Sequence, residues 1–295
     1  MELRVLEYYL MVAREENITK AAELLHITQP TLSRQMMQLE EELGVNLFKR
    51  GKHRILLTDD GLLLKRRAQE ILELTNKTKR DFDRSEGELT GEIAIGSGET
   101  RSIRFLGKLA ARFRRQYPLV TFDLYSFTAD EVKDRIEKGL IDIGLLTEPV
   151  EVGRYGFIRI PRKEQWGIMV PQDSPLAGKK GIMPEELIGI PLFISKRENV
   201  RNELANWFGD YFDQLTILGT YNLLYNAVVM AEALGGAVLC FYHGMHYGNQ
   251  VFVPLEPVLE TGSVVVWKKN YVSSPAAGKF VEYMKNSQKA DFEEE

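Results

Sequence analysis

Across 295 residues there is one cysteine, Cys240, and there are four histidines. A single thiol closes no disulfide within the chain, and so few imidazoles leave little for a zinc site. Cys240 lies in the apolar run GGAVLC and reads as a buried structural thiol, with a redox sensor as the alternative. His243 and His246 are spaced like ligands on one helical turn, but no third or fourth ligand stands out, so surface or cleft histidines are the simpler reading. Neither a metal nor a cofactor is expected. No apolar run is long enough for a membrane helix, and MELRVLEYYLMVAREEN lacks a signal peptide's cleavage pattern, so cytoplasm is the expectation. Also missing are a G-x-S-x-G nucleophile, a Walker loop and a dinucleotide fingerprint, which argues against an enzyme. An overall basic charge is absent too: the net charge is −4, and the first 90 residues hold 15 Lys/Arg against 16 Asp/Glu. A nucleic-acid binder of this composition needs a local positive field. One exists at Lys49, Arg50, Lys52, His53 and Arg54, which no acid interrupts.

What is there begins with TKAAELLHITQPTLSRQMMQLEEEL, Thr19 to Leu43. Helical period gives a first helix over Thr19–Leu25 with Thr19 as N-cap, a corner at His26-Ile27-Thr28, and a second helix capped by Thr28 with Pro30 in its first turn. On the second helix Leu32, Met36, Leu39 and Leu43 form one apolar stripe. The opposite side carries Pro30, Arg34, Gln38 and Glu41, flanked by Thr31 and Met37. Arg can address guanine, Gln adenine and a methyl group thymine, so this face suits a major groove. The same face would serve an ordinary solvated helix, and the wheel alone does not separate the two.

A composition of 44% hydrophobic and 27% charged residues is that of a soluble globular protein, and the length calls for two or three domains. Leu3, Leu6, Leu10 and Ala13 give a buttressing helix before the pair. Gly44 supplies a C-cap after it, and KRGKHRILLT reads as a small β-hairpin with a basic tip. Thr58 caps a helix that can run to about Ser85, with Asp59 and Asp60 on its positive end. On it Leu64, Ala68, Ile71, Thr75, Thr78 and Phe82 repeat as a coiled-coil seam, which suits a second copy of the chain or packing against a neighbouring domain.

At GELTG, residues 87 to 91, the composition shifts, and strands then alternate with helices. EIAIGSG, VTFDLYS, IDIGLL, QWGIMV, PLFIS, LTILG, GAVLC, VFVPL and SVVVWKK read as strands. Ile103–Tyr117, Ala129–Gly139, Val200–Phe208, Asn222–Leu234 and Pro275–Asn286 read as helices. This alternation predicts an α/β fold with a parallel, doubly wound sheet. The final DFEEE reads as disordered.

The N-terminal residues Leu6, Val12-Ala13, Thr19, Ala21-Ala22, Leu25, Gln29-Pro30, Ser33, Leu39-Glu40, Leu43-Gly44, Leu47-Phe48, Arg50, Leu57-Thr58 and Gly61 stand at fixed spacings, and here the chain resembles the LysR-type transcriptional regulators. Over residues 91 to 287 the resemblance is one of pattern, anchored by Gly139-x-Ile-Asp142 and Gly235-Gly236. It implies an α/β multidomain protein: a winged helix-turn-helix over 1–58, a dimerising linker helix over 59–87, and a periplasmic-binding-protein-like effector domain over 88–290. Two lobes are implied in that domain, 91–160 plus 267–287 and 161–266. The resemblance implies a non-catalytic regulator, a homodimer joined by the linker helix and a homotetramer on promoter DNA. It places base reading on Gln29, Pro30, Thr31, Ser33 and Arg34, beside Thr28 and Gln38, and puts Arg50, Lys52 and Arg54 on phosphate. Glu16-Asn17 stands where the family often has Gly-Ser, and Phe241-Tyr242 replaces a common proline.

In doubly wound lobes ligands sit at the C-terminal ends of strands, against helix N-termini. Applied here, that rule selects Ser97, Gly98, Glu99, Thr100, Thr128 and Ala129 in the first lobe. In the second it selects Ser195, Tyr221 and Asn222, with Thr220 beside them. Hydroxyls and free N–H groups favour a small carboxylate, and Arg101 or Arg104 could supply counter-charge. Glu99 argues against a second negative charge on such a molecule.

Overall fold

The computed structural model describes residues 1–50, 54–82, 88–269 and 274–287, with only the backbone at Arg50. The chain divides into two compact units, Met1–Phe82 and Asp83–Glu295.

The first unit opens with α1 (Leu3–Glu15), which buries Val5, Leu6, Tyr9, Val12 and Ala13 and leaves Leu3 exposed. Leu3 was expected inside; the buried stripe instead runs through Tyr9 and Val12. The helix ends on Glu16, a non-glycine residue at φ +51°, the position where the resembling family often carries glycine. α2 (Ile18–Leu24) is capped by the Asn17 side chain, which accepts from Lys20 N–H, so the expected cap at Thr19 moves two residues upstream. Ala21 and Ala22 are buried where α1 and α3 cross them.

α3 (Gln29–Leu43) starts on Thr28, whose hydroxyl accepts from Thr31 N–H, and ends on Gly44 at φ +70°. Its buried side is Leu32, Met36 and Leu39, each worth about 1.5–3 kcal/mol of burial. Leu43, expected on that stripe, is 39% exposed. Glu40 Oε1 accepts from Leu47 N–H at 2.6 Å and Phe48 N–H at 3.2 Å, tying the next turn to α3. β1 (Phe48–Arg50) and β2 (Ile55–Leu57) pair antiparallel, Phe48 opposite Leu57 and Arg50 opposite Ile55.

α4 (Asp59–Asp81) carries acids in its first turn and Lys79 and Arg80 in its last, both favourable to the helix dipole. Thr58 caps it by accepting from Gly61 N–H at 2.9 Å while donating to Asn46 O at 2.7 Å. A Cβ at Gly61 would stand 2.2 Å from Leu47 O, so only glycine allows this approach. Tyr9 OH donates to Gly61 O at 2.5 Å across the same contact. The expected coiled-coil seam divides. Leu64 and Ala68, with Leu72, pack into the unit's own core, whereas Ile71 and Phe82 are exposed, Phe82 by 70%. The first half of the stripe therefore belongs to the core of the first unit. Ser85, the expected end of that helix, lies outside the described residues, as does DFEEE.

The second unit is built on one curled sheet. β3 (Gly91–Ser97), α5 (Ile103–Gln116), β4 (Val120–Ser126), α6 (Ala129–Glu137) and β5 (Ile143–Thr147) form its first half, with β4, β3 and β5 parallel neighbours. Gly139 at φ +73° turns the chain so that Asp142 Oδ2 accepts from Ala94 N–H at 2.9 Å. β6 (Tyr155–Pro171) then runs 17 residues, where only QWGIMV was expected as strand. The missed part alternates exposed and buried residues at its edge: Ile158 and Ile160 point inward while Arg159 faces out.

β7 (Pro191–Ser195), α7 (Glu198–Phe208), β8 (Thr216–Tyr221), α8 (Leu224–Ala233) and β9 (Ala237–Phe241) make the other half, with β8, β7 and β9 parallel. β10 (Gln250–Pro254) pairs with the end of β6, and β11 (Glu260–Lys268) returns along its start to join β5. α9 (Pro275–Ser287) closes the first half. Strand order β4-β3-β5-β11-β6-β9-β7-β8 thus joins two parallel groups through two antiparallel strands, β6 and β11. Each half has a core on both sheet faces. Phe113 and Phe280 anchor one face of the first half and Val132 and Ile136 the other. Leu204 and Phe208 anchor one face of the second, Leu224 and Val228 the other. This is a two-lobed α/β domain, with helices covering both faces of each half of the sheet.

Candidate nucleic-acid interface and effector cleft

On α3 the residues opposite the buried stripe are Thr28, Gln29, Pro30, Thr31, Arg34, Met37 and Gln38, all exposed. Ser33 is half-buried and accepts from Gln29 Nε2 at 3.0 Å, which holds both side chains along the first turn. The Thr28 and Thr31 hydroxyls lie 2.8 Å apart, and Gln35 Nε2 donates to Gln38 Oε1 at 3.3 Å. Arg34 makes no ion pair with any described residue, so a guanidinium with five donors stands toward solvent beside hydroxyl, amide and thioether groups. On the hairpin, Arg54 Nη1 pairs with Glu16 Oε2 at 3.2 Å. Lys52 and His53, and the Arg50 side chain, lie outside the described residues.

Between the two lobes is a cavity of about 70 Å³. The first lobe contributes strand ends and helix starts: Gly98, Glu99 and Thr100 after β3, Phe127, Thr128 and Ala129 after β4, and Leu145, Leu146 and Thr147 at the end of β5. The second supplies Ser195 and Arg197 at the end of β7, Val200, Tyr221 and Asn222 at the end of β8, Leu224, and Phe241 and His243 at the end of β9. Trp166 of β6 lies against it, its indole N–H donating to Thr261 Oγ1 at 2.8 Å. Of the residues selected from sequence, Gly98, Glu99, Thr100, Thr128, Ala129, Ser195, Tyr221 and Asn222 line this space. Ser97 does not: it is buried behind, donating to Gly98 O at 2.6 Å.

The helix ends around the cavity already hold carboxylates from within the chain. Glu164 of β6 is 1% exposed and accepts from Thr100 Oγ1 at 2.9 Å, Ser102 N–H at 2.8 Å and Ser102 Oγ at 2.5 Å at the start of α5. Glu131 closes a capping box with Thr128 on α6. Glu99 accepts from Leu224 N–H at the start of α8. His243 Nδ1 lies 2.7 Å from Phe241 O and Nε2 lies 2.8 Å from Glu99 O, so neither nitrogen is free to ligate a metal. Cys240 is fully buried and its thiol is pushed up by burial, which disfavours the reactive thiolate. Tyr221 is likewise raised by burial and donates to Leu239 O at 2.8 Å.

Arg101 and Arg104 are not the cavity's cations. Arg101 lies over the Tyr242 ring, 4.9 Å from its centroid, and Arg104 is exposed. The cation that lines the cavity is Arg197, which sequence reasoning passed over. Its Nη1 donates to Thr147 O and Thr147 Oγ1, both at 3.3 Å, and its Nη2 to Pro149 O at 3.2 Å, bridging the lobes. Thr147 ends β5 as Ser97 ends β3, and Arg197 follows β7 by two residues. The strand-end rule, carried to every parallel strand, reaches both.

Residues 86–289 match the model of the LysR substrate binding domain, and residues 3–62 match that of the bacterial regulatory helix-turn-helix protein, lysR family. The chain belongs to the LysR family. Among LysR relatives, the Hca operon transcriptional activator HcaR of Escherichia coli (strain K12) is 30% identical over 291 residues, 95% of this chain and 96% of its own. The HTH-type transcriptional regulator AlsR of Bacillus subtilis (strain 168) is 33% identical, covering 67% of this chain and 65% of its own. The crystal structure of CbnR, a LysR family transcriptional regulator, superposes with a TM-score of 0.79 at 22% identity, over 97% of this chain and 99% of that one. Full-length CbnR complexed with its target DNA gives 0.77 at 23% identity, over 97% and 100%. This LysR-type protein is a transcriptional regulator, with a DNA-binding helix-turn-helix and an effector-binding α/β domain; the family is one of regulators, not enzymes. Among the described residues no helix is long and apolar enough to cross a membrane.

Proposed function

We propose that this regulator reads promoter DNA through the outer face of α3. Gln29, Pro30, Thr31, Arg34 and Gln38 address base edges, Thr28 and Ser33 order the first turn, and Arg50, Lys52 and Arg54 sit on phosphates. A small molecule in the interlobe cleft, a carboxylate on this reading, alters DNA binding without undergoing any reaction. Ser97, Gly98, Glu99, Thr100, Thr128, Ala129, Ser195, Tyr221 and Asn222 form or back its site. The modules are 1–58, 59–87 and 88–290, the last periplasmic-binding-protein-like. The chain acts in the cytoplasm as a homodimer joined through α4, paired into a homotetramer.

One observation carries the reading: Thr31, Arg34 and Gln38 stand exposed on the helix whose other side, Leu32, Met36 and Leu39, is buried. The exposed Ile71 and Leu74 on α4 support self-association through that helix. Selection of bound sequences from a random duplex pool should return a site with two related halves, set by a symmetric dimer. Arg34→Ala should cost roughly 1–3 kcal/mol on that site and flatten one base position. An equal loss on random DNA would place Arg34 on phosphate only. For the cleft, a thermal-shift screen of amino acids, sugars, aromatics and carboxylates should give hits that also change DNA affinity. Hits without that change would remove the effector reading.

A further inference from the structure

Arg197 differs from the acids around the cleft. Glu164, Glu131 and Glu99 each meet N–H donors of the protein, so the starts of α5, α6 and α8 have their negative partner already. Arg197 lacks an equivalent one. Its side chain is 11% exposed, and its Nε–H is buried without a hydrogen bond. Among the described residues the one carboxylate oxygen within 4 Å is Asp130 Oδ2, 3.9 Å from Nε, beyond hydrogen-bond reach, on a side chain that is 62% exposed. The three acceptors it does reach are uncharged oxygens of Thr147 and Pro149. A guanidinium removed from water and left with neutral acceptors is costly until an anion meets it. Burial outweighs the pull of Asp130 and Glu203 and lowers its proton affinity, the direction expected of a buried cation short of negative charge.

We infer that Arg197 is the residue that selects the effector, a small monocarboxylate with an apolar body whose oxygens meet the Nε–H edge of the guanidinium. The inference rests on the cleft being the effector site. Two parallel N–H···O bonds from one guanidinium to one carboxylate are the arrangement this fork favours. Phe127, Leu145, Trp166, Val200 and Phe241 give the remainder of the molecule apolar walls. The cavity, about 70 Å³, is smaller than the roughly 150 Å³ that holds benzene in an engineered cavity, so the body is short or the lobes part to admit it. Because Arg197 also spans from α7's start to Thr147 and Pro149, a bound carboxylate and the interlobe bridge share one side chain. Occupancy of the cleft is thereby linked to the angle between lobes.

The test is calorimetric titration of the full chain with acetate, butyrate and benzoate and with their primary amides, acetamide, butyramide and benzamide. At least one acid should bind, and the amide of the same skeleton at least tenfold more weakly. Arg197→Gln should lose tenfold or more of that affinity, and Arg197→Lys should recover part. Asp130→Asn, which removes the competing acid from the rim, should tighten binding severalfold, a gain that loss of packing would not produce. Equal binding of acid and amide, undiminished acid binding by Arg197→Gln, no gain with Asp130→Asn, or no binding of any of the three acids overturns the inference. The two readings fail separately. A neutral ligand that occupies the cleft and changes DNA affinity removes the role of Arg197 and keeps the effector site. Acids that bind through Arg197 and leave DNA affinity unchanged keep the carboxylate contact and remove its role in selecting an effector.

Discussion

The two units solve the placement of functional groups in opposite ways. In the first, the exposed groups from Thr28 to Gln38 lie within about three turns of one helix, and a single buried stripe orients them all. In the second, the cavity collects residues from Gly98 to His243, and no two neighbouring groups of them come from the same loop. An exposed face on one helix depends on one core, whereas a cleft depends on the packing of two lobes and the strands between them. Damage should therefore stay within the unit it strikes.

Phe113→Ala tests this most strongly. Phe113 packs between Tyr117, Phe280 and Tyr283, with ring centroids 4.7 to 5.5 Å away, and its loss should cost roughly 3–5 kcal/mol. Calorimetry should show the transition of the second unit falling while that of the first stays in place. The same fall in both would mean that the units do not melt independently. Leu39→Ala, at roughly 2–5 kcal/mol, should give the mirror result.

Smaller effects come from the two capping threonines. Thr58→Ala removes the bonds to Gly61 N–H and Asn46 O and should cost about 1–2 kcal/mol, read as a lower first transition and weaker DNA binding. Thr128→Ala removes the α6 capping box and should cost about 1 kcal/mol, read as a blunted response to ligand with DNA affinity retained. An exchange of these readouts would break the division.

How much of this was legible follows the same line. The cap at Thr28, the stripe Leu32–Met36–Leu39 and the glycine stop at Gly44 are local signals, and each stands where the period puts it. Leu3 and Leu43 also fit the period but lie at helix ends, where the core no longer reaches. In the second unit, strand and helix segments were readable because each lobe repeats them. The first half of β6 was not: its run of Arg and Lys looks like a loop, and only pairing with β11 makes it a strand. Arg197 escaped for a related reason. Its place two residues after β7 marks it as a strand-end residue, but its contact with Thr147 and Pro149, some 50 residues upstream, is made only by tertiary packing.

The smallest expected effect is one of pH. Glu203 on α7 is raised above the ordinary carboxylate range, first by burial and then by the nearby Glu148, with Thr261 and Arg197 opposing. The folded state thus holds this proton to higher pH than the unfolded state does. Stability from this group is lost as pH climbs from the ordinary carboxylate value through the raised one. Glu203→Gln should flatten that part of the melting-temperature profile and leave the first unit's transition unchanged. A profile as steep as the parent's would assign the slope to another group.

The contact between Tyr9, Leu47 and Gly61 has a mechanical meaning. It fastens the root of α4 to α1, and Ala68 continues the joint about two turns further on. Head and shaft are therefore one solid piece, like a key cut from a single blank. A twist applied along the shaft arrives at α3 without slack. It leaves the teeth in place, since they sit on their own buried stripe, and in the proposed dimer it would change where two such keys stand relative to each other. In the proposed dimer such a twist would adjust the spacing between half-sites and leave the bases preferred within each half as they were.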